Sequence, residues 1–175
     1  MSLVGELYSK IEDGREGKNI GLKTGLLKLD FYTGGFKKGV YKLIFSKSSV
    51  GKSSFVIYTD IYRILKDYPD KDIIIVYFSL ELSANTLLAK LLSLYLYETY
   101  GIEVTYMQLM SFTNKLSDDI HKYVIKAREW LESISHKFII YDKQLSADSF
   151  YAEMMELHKS LGTFQKSPDG KRTIY

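Results

Sequence analysis

The chain has 175 residues, 46% of them apolar and 26% charged, an ordinary globular mixture that excludes a disordered chain. The net charge of +3 is too small to announce a nucleic-acid or membrane partner by itself. With no cysteine, disulfide frameworks, thiolate metal sites and cysteine nucleophiles all fall away. Residues 1–17 hold no long apolar run of the signal-peptide kind, so a cytoplasmic setting is expected.

In chain order, Leu3, Val4, Leu7, Tyr8 and Ile11 recur at helical spacing and predict an amphipathic helix over 3–13. Asp13 to Lys18 reads as a linker, which places a linker helix and linker at 1–18 and the main domain at 19–175. Gly21 to Gly39 reads as irregular and turn-rich, with Gly34-Gly35 a turn of unusual backbone shape. A strand is expected over Val40–Phe45, then a Ser-rich loop to Gly51 and a helix from Lys52 to about Lys66. The run Ile73–Phe78 predicts a strand buried on both faces of a parallel sheet. Ser83 or Asn85 can cap the next helix, which ends near Tyr100-Gly101. Its apolar run, Leu87–Tyr97, is interrupted by Lys90 and is too short to span a membrane.

A short helix is expected within Thr105–Met110, and a longer one over Asp118–Ser135 with Trp130 in the core. Phe138–Tyr141 reads as another strand, and Ala147–Leu161 as a helix capped by Ser146. Ser167-Pro168-Asp169-Gly170 is a turn, and Arg172–Tyr175 opens a strand. Strands alternate with helices, so the class is α/β with a mainly parallel sheet flanked by helices.

The segment Ser46-Lys47-Ser48-Ser49-Val50-Gly51-Lys52-Ser53-Ser54 carries the chemistry. It lies between an expected strand and an expected helix, the setting of a phosphate-binding loop. Backbone N–H groups and a helix N-terminus form a concave anion site there. Lys52 would carry positive charge to the β- and γ-phosphates, and the Ser53 hydroxyl would ligate Mg²⁺. Ser46 stands where the general pattern has glycine.

Gly21-Leu22-Lys23-Thr24-Gly25, Leu29-Asp30 and Thr33–Gly39 precede the loop, and Phe78-Ser79-Leu80-Glu81-Leu82-Ser83 follows the next strand. Together with the loop these segments resemble the C-terminal motor domain of DnaB-type replicative DNA helicases, within the RecA-like ATPase superfamily. A small residue at position 46 fits that family. The resemblance runs from about Leu3 to Tyr175 and implies a RecA-like P-loop NTPase fold, incomplete at the C-terminus. It implies an ATP-driven ring, expected to be a hexamer, that moves on single-stranded DNA and unwinds a duplex. ATP and Mg²⁺ are the implied cofactors, and a primase or a helicase loader would be further partners. No membrane partner is expected.

Glu81 stands where the family keeps its catalytic glutamate and would orient the attacking water. Lys52 would stabilise the transferring phosphoryl group. Helix 3–13 occupies the place of the linker helix that docks on a neighbouring subunit. Asp142 looks like a Mg²⁺ aspartate, but the family order makes it a strand-end turn residue. The Mg²⁺ aspartate, the DNA loops and the arginine finger would follow Tyr175, so the chain alone is expected to bind nucleotide weakly and hydrolyse it negligibly. Lys166, Lys171 and Arg172 read as a solvated basic hairpin. Two rival readings stand beside the helicase. One is a RecA- or RadA-like recombinase or KaiC-like ATPase; the other is a non-catalytic nucleotide-binding fragment of a truncated helicase.

Overall fold

The computed structural model describes residues 2–161, and the backbone of 164–166 and 172–174. It comprises two compact units divided between Tyr141 and Asp142.

The first unit opens with α1 (Leu3–Arg15), capped by the Ser2 hydroxyl, which accepts from Gly5 N. None of its residues is buried, and Leu3, Val4, Leu7, Tyr8 and Ile11 are 47–85% exposed. The apolar stripe that makes the segment helical is therefore not covered by its own unit. A short helix, α2 (Leu27–Thr33), follows inside the region expected to be irregular. Its Asp30 is buried and accepts from both the backbone N–H and the hydroxyl of Thr24, each at 2.8 Å. A left-handed Gly34 ends it.

The helical run after the phosphate loop consists of α3 (Lys52–Val56), a π-helical stretch (Ile57–Tyr62) and α4 (Arg63–Asp67). Next come β1 (Ile75–Phe78), α5 (Ala84–Tyr100), α6 (Tyr106–Leu109) and α7 (Asp118–Ile134). A 3₁₀ turn (Ser135–Lys137) leads into β2 (Phe138–Tyr141). The strands β1 and β2 pair in parallel, with Ile75 opposite Phe138 and Phe78 opposite Tyr141. Parallel neighbours require a crossover, and here the intervening helices supply it.

The core gathers Ile57, Ile61, Tyr62 and Leu65 from the run after the loop, Leu87 and Leu91 from α5, and Ile134 and Phe138. Trp130 packs against it, stacked on Tyr95 at 4.2 Å and edge-on to Tyr62 at 5.8 Å. A second cluster joins Leu92, Leu96, Val104 and Ala127. Ser83 caps α5 and a left-handed Gly101 ends it, matching the stop and start signals in the sequence.

Two expectations are corrected. Val40–Phe45 enters no ladder among the described residues, and Val40, Tyr41, Leu43 and Phe45 are 64–87% exposed. β-propensity alone makes no strand without a neighbouring edge to bond. For the same reason β1 is half-buried at every position instead of covered on both faces, and it starts at Ile75 instead of Ile73.

The second unit contains α8 (Ala147–Leu161) and an antiparallel pair, β3 (Phe164–Lys166) and β4 (Arg172–Ile174). The expected turn at 167–170 and Lys171 lie outside the described residues. Asp142 is exposed and directly follows β2, where a strand-end turn residue was expected.

Candidate nucleotide site

The loop is shaped by two left-handed residues, Ser49 at φ +63° and Gly51 at φ +91°. Glycine meets the second demand without a Cβ penalty, whereas Ser49 adopts a conformation uncommon for its type. Gly51 is the N-cap of α3, and its carbonyl accepts from Phe55 N at 2.9 Å. Lys52, Ser53 and Ser54 thus occupy the first turn, where backbone N–H groups lack intrahelical acceptors.

The other wall begins at the carboxyl end of β1. Ser79 is buried; its hydroxyl donates to the Leu82 carbonyl and accepts from Leu82 N at 3.0 Å. Ser79 N donates to the Tyr141 carbonyl at 2.8 Å, which ties the same residue to β2. This knot holds Leu80 and Glu81 outward in a tight turn before the Ser83 cap. The Tyr77 phenol lies near enough to Glu81 to feel it: burial, and then the carboxylate's charge, push its pKa up.

Between these walls is a cavity of about 480 Å³ lined by Lys47, Ser48, Ser49, Gly51, Lys52, Ser53, Ser54, Glu81, Leu82 and Lys90. Of the residues expected at the site, Ser46 and Val50 flank it in sequence without lining it. Lys52 makes no side-chain ion pair or hydrogen bond among the described residues, so its charge is available to a ligand.

Sequence reasoning missed Ser79 as the anchor of the glutamate turn, and Lys90 as a lining residue. A lone lysine within an apolar helical run was the available signal for Lys90. It also missed an ion pair between Lys42 and Asp60, 2.7 Å apart, which links the segment before the loop to the helical run after it.

No group of three or more His, Asp or Glu residues that could hold a metal occurs among the described residues. Mg²⁺ seldom needs such a cage; it keeps waters and is held by one or two protein oxygens plus substrate phosphates. The Ser53 hydroxyl, in one cavity with the Glu81 carboxylate, suits an ion that arrives with a nucleotide. No described helix is long and apolar enough to cross a membrane.

A parallel strand pair with crossover helices, and a Gly-Lys-Ser loop facing the end of a strand, define an α/β domain of the P-loop type. More narrowly, residues 21–164 match the family model of the DnaB-like helicase C terminal domain, and the chain belongs to that family. A comparison with curated proteins gave no match.

Proposed function

We propose that this chain is the ATP-binding part of a ring-forming replicative helicase, which couples ATP hydrolysis to movement on single-stranded DNA and duplex unwinding. The observation that carries the reading is the shared cavity of Lys52, Ser53 and Glu81. Lys52 neutralises charge on the phosphates, and the Ser53 hydroxyl would hold a Mg²⁺ that arrives with them. That ion would supply further charge neutralisation there. Glu81 orients the attacking water and takes its proton, the position expected of a group at the carboxyl end of a strand.

The cavity contains a single carboxylate and no arginine. An arginine supplied by a neighbouring subunit would fit that lining, and turnover by the isolated chain is expected to be slow. The uncovered apolar stripe of α1 supports docking on the next protomer of a homo-oligomeric ring, hexameric by family likeness. Single-stranded DNA, a primase and a helicase loader are partners on this reading.

The test is equilibrium binding of Mg²⁺-ATP to the wild-type chain and to Lys52→Ala and Ser53→Ala. Loss of binding in Lys52→Ala, and loss of its Mg²⁺ dependence in Ser53→Ala, is the expected result. Wild-type affinity in Lys52→Ala overturns the reading.

A further inference from the structure

We propose that Lys90 selects for the terminal phosphate of a nucleoside triphosphate, and that Tyr106 holds it in reserve when that phosphate is absent. The inference rests on the nucleotide reading above.

Lys90 lies on α5, half-buried, with its side chain on the cavity. It stands on the helix that follows Glu81 and Leu82, whereas Lys47 and Lys52 belong to the loop, and all five line the one cavity. Among the described residues its ammonium has no carboxylate partner and no hydrogen bond. It sits over the face of the Tyr106 ring, 4.6 Å from the centroid. A half-buried ammonium keeps part of its hydration, and a ring quadrupole replaces the lost part less well than an anion does. An anion in the adjacent cavity would compensate it better. The cavity carries three lysines against one glutamate, an excess that matches a polyphosphate.

Position supplies the selectivity. The loop, with its helix N-terminus, serves the phosphates common to di- and triphosphates, and Lys52 spans the β- and γ-phosphates. On the nucleotide reading Glu81 orients the water that attacks the terminal phosphate, so a cation on the helix that follows Glu81 meets that phosphate alone.

Tyr106 is a fixed station. It is the first residue of α6, whose capping box joins Thr105 N to Gln108 Oε1 at 2.9 Å and Gln108 N to Thr105 Oγ1 at 3.3 Å. Lys90 thus has two places to put its charge, one on the ring and one on the phosphate. Moving between them alters the surroundings of α6, so the segment around Tyr106 registers which nucleotide is bound.

The experiment compares binding of AMP-PNP and ADP, each with Mg²⁺, to wild type, Lys90→Met, Lys90→Arg, Tyr106→Leu, the Lys90→Met/Tyr106→Leu double variant and Lys52→Ala. Thermal melts check that each variant folds. Lys90→Met is expected to weaken AMP-PNP about 10-fold, the scale of one charge-assisted contact, while ADP changes less than about two-fold. Lys90→Arg restores most of the preference. Tyr106→Leu frees the lysine and tightens AMP-PNP by about two- to five-fold, the scale of an exposed cation–π contact, and only while Lys90 is present. Equal weakening of both nucleotides by Lys90→Met, or no change in either, overturns the proposal. If Lys90→Met does not fold, absence of a Tyr106→Leu effect on the AMP-PNP to ADP ratio overturns it instead. A Lys52→Ala variant that binds both nucleotides like wild type would instead remove the nucleotide reading itself.

Discussion

Arg63 packs its side chain against the backbone of Gly25, so closely that a Cβ at position 25 would come within 2.7 Å of its Nε. That Nε is buried and has no hydrogen-bond partner among the described residues, while the two terminal nitrogens reach Asp67 at 2.6 Å and Glu98 at 3.1 Å. The turn after Thr24 is thereby keyed to the helical run that follows the phosphate loop.

Gly25→Ala should therefore cost more than its backbone conformation alone explains. A left-handed alanine costs roughly 1–2 kcal/mol. Gly101 provides the control, since it is also left-handed, at φ +66°, and a Cβ there meets nothing within 4 Å. Urea denaturation is expected to show Gly25→Ala as the more destabilised of the two. Removing the Arg63 side chain should bring the pair together; equal losses with Arg63 in place would discount the packing.

Glu98 predicts a pH dependence. Burial alone would raise its pKa, but the hydrogen bond and charge of Lys66, the charge of Arg63 and the Tyr62 hydroxyl hold it below the ordinary glutamate value of 4.5. The folded carboxylate then binds a proton less readily than the unfolded one. Its stabilising contribution is complete above the ordinary value and disappears as pH falls through the lower, folded value. Glu98→Gln should lose stability at neutral pH, by roughly 1–3 kcal/mol given its partly exposed partners. Its urea midpoint should converge on the wild type's in acid. A gap that stays constant with pH would refute the linkage.

Gly51 separates backbone shape from space. A Cβ there meets nothing within 4 Å, yet φ is +91°. Gly51→Ala can fold only by straining or moving the loop, and relief through loop movement displaces the N–H groups offered to phosphate. The expected outcome is a loss of Mg²⁺-ATP affinity of about 10-fold, since roughly 1.4 kcal/mol of loop strain corresponds to that factor. Isothermal titration of the variant checks it.

The exposed apolar residues before the loop predict association. Tyr41, Leu43 and Phe45 alternate along an extended segment with no ladder partner among the described residues. Such a row is a template for another strand. Sedimentation velocity should show mass rising with concentration, and Leu43→Lys with Phe45→Lys should suppress the rise. Concentration-independent mass in the wild type would count against it.

The helices were legible because their ends are marked chemically. Ser83 and Gly101 bracket α5, and Ser117 opens α7, as their side chains and backbone freedom require. The phosphate loop was legible because its spacing carries a chemical requirement; Glu81 came from the family resemblance of the segment around it, and it lines the loop's cavity. Segment Val40–Phe45 was not, because whether an extended run becomes a strand depends on a partner far along the chain. Helix α2 was hidden by the glycines around it; the buried Asp30–Thr24 contact that organises it is tertiary information. Lys90 was passed over because a charge inside an apolar run says only that something compensates it, not what.

The π-helical stretch Ile57–Tyr62 has a consequence for how this chain can vary. A π turn holds more residues than the α turn it replaces, so the stretch takes up an extra residue while the α turns on either side keep their register. Deleting one residue within Ile57–Tyr62 would let the stretch return to the α period and leave Arg63, Lys66 and Asp67 facing as they do now. In an unbroken α-helix the same deletion would turn everything after it by about 100°. Arg63 would thus keep its place beside Gly25 and Glu98. The helix after the loop carries slack for one residue, at the one stretch where its length can change without moving the ion cluster.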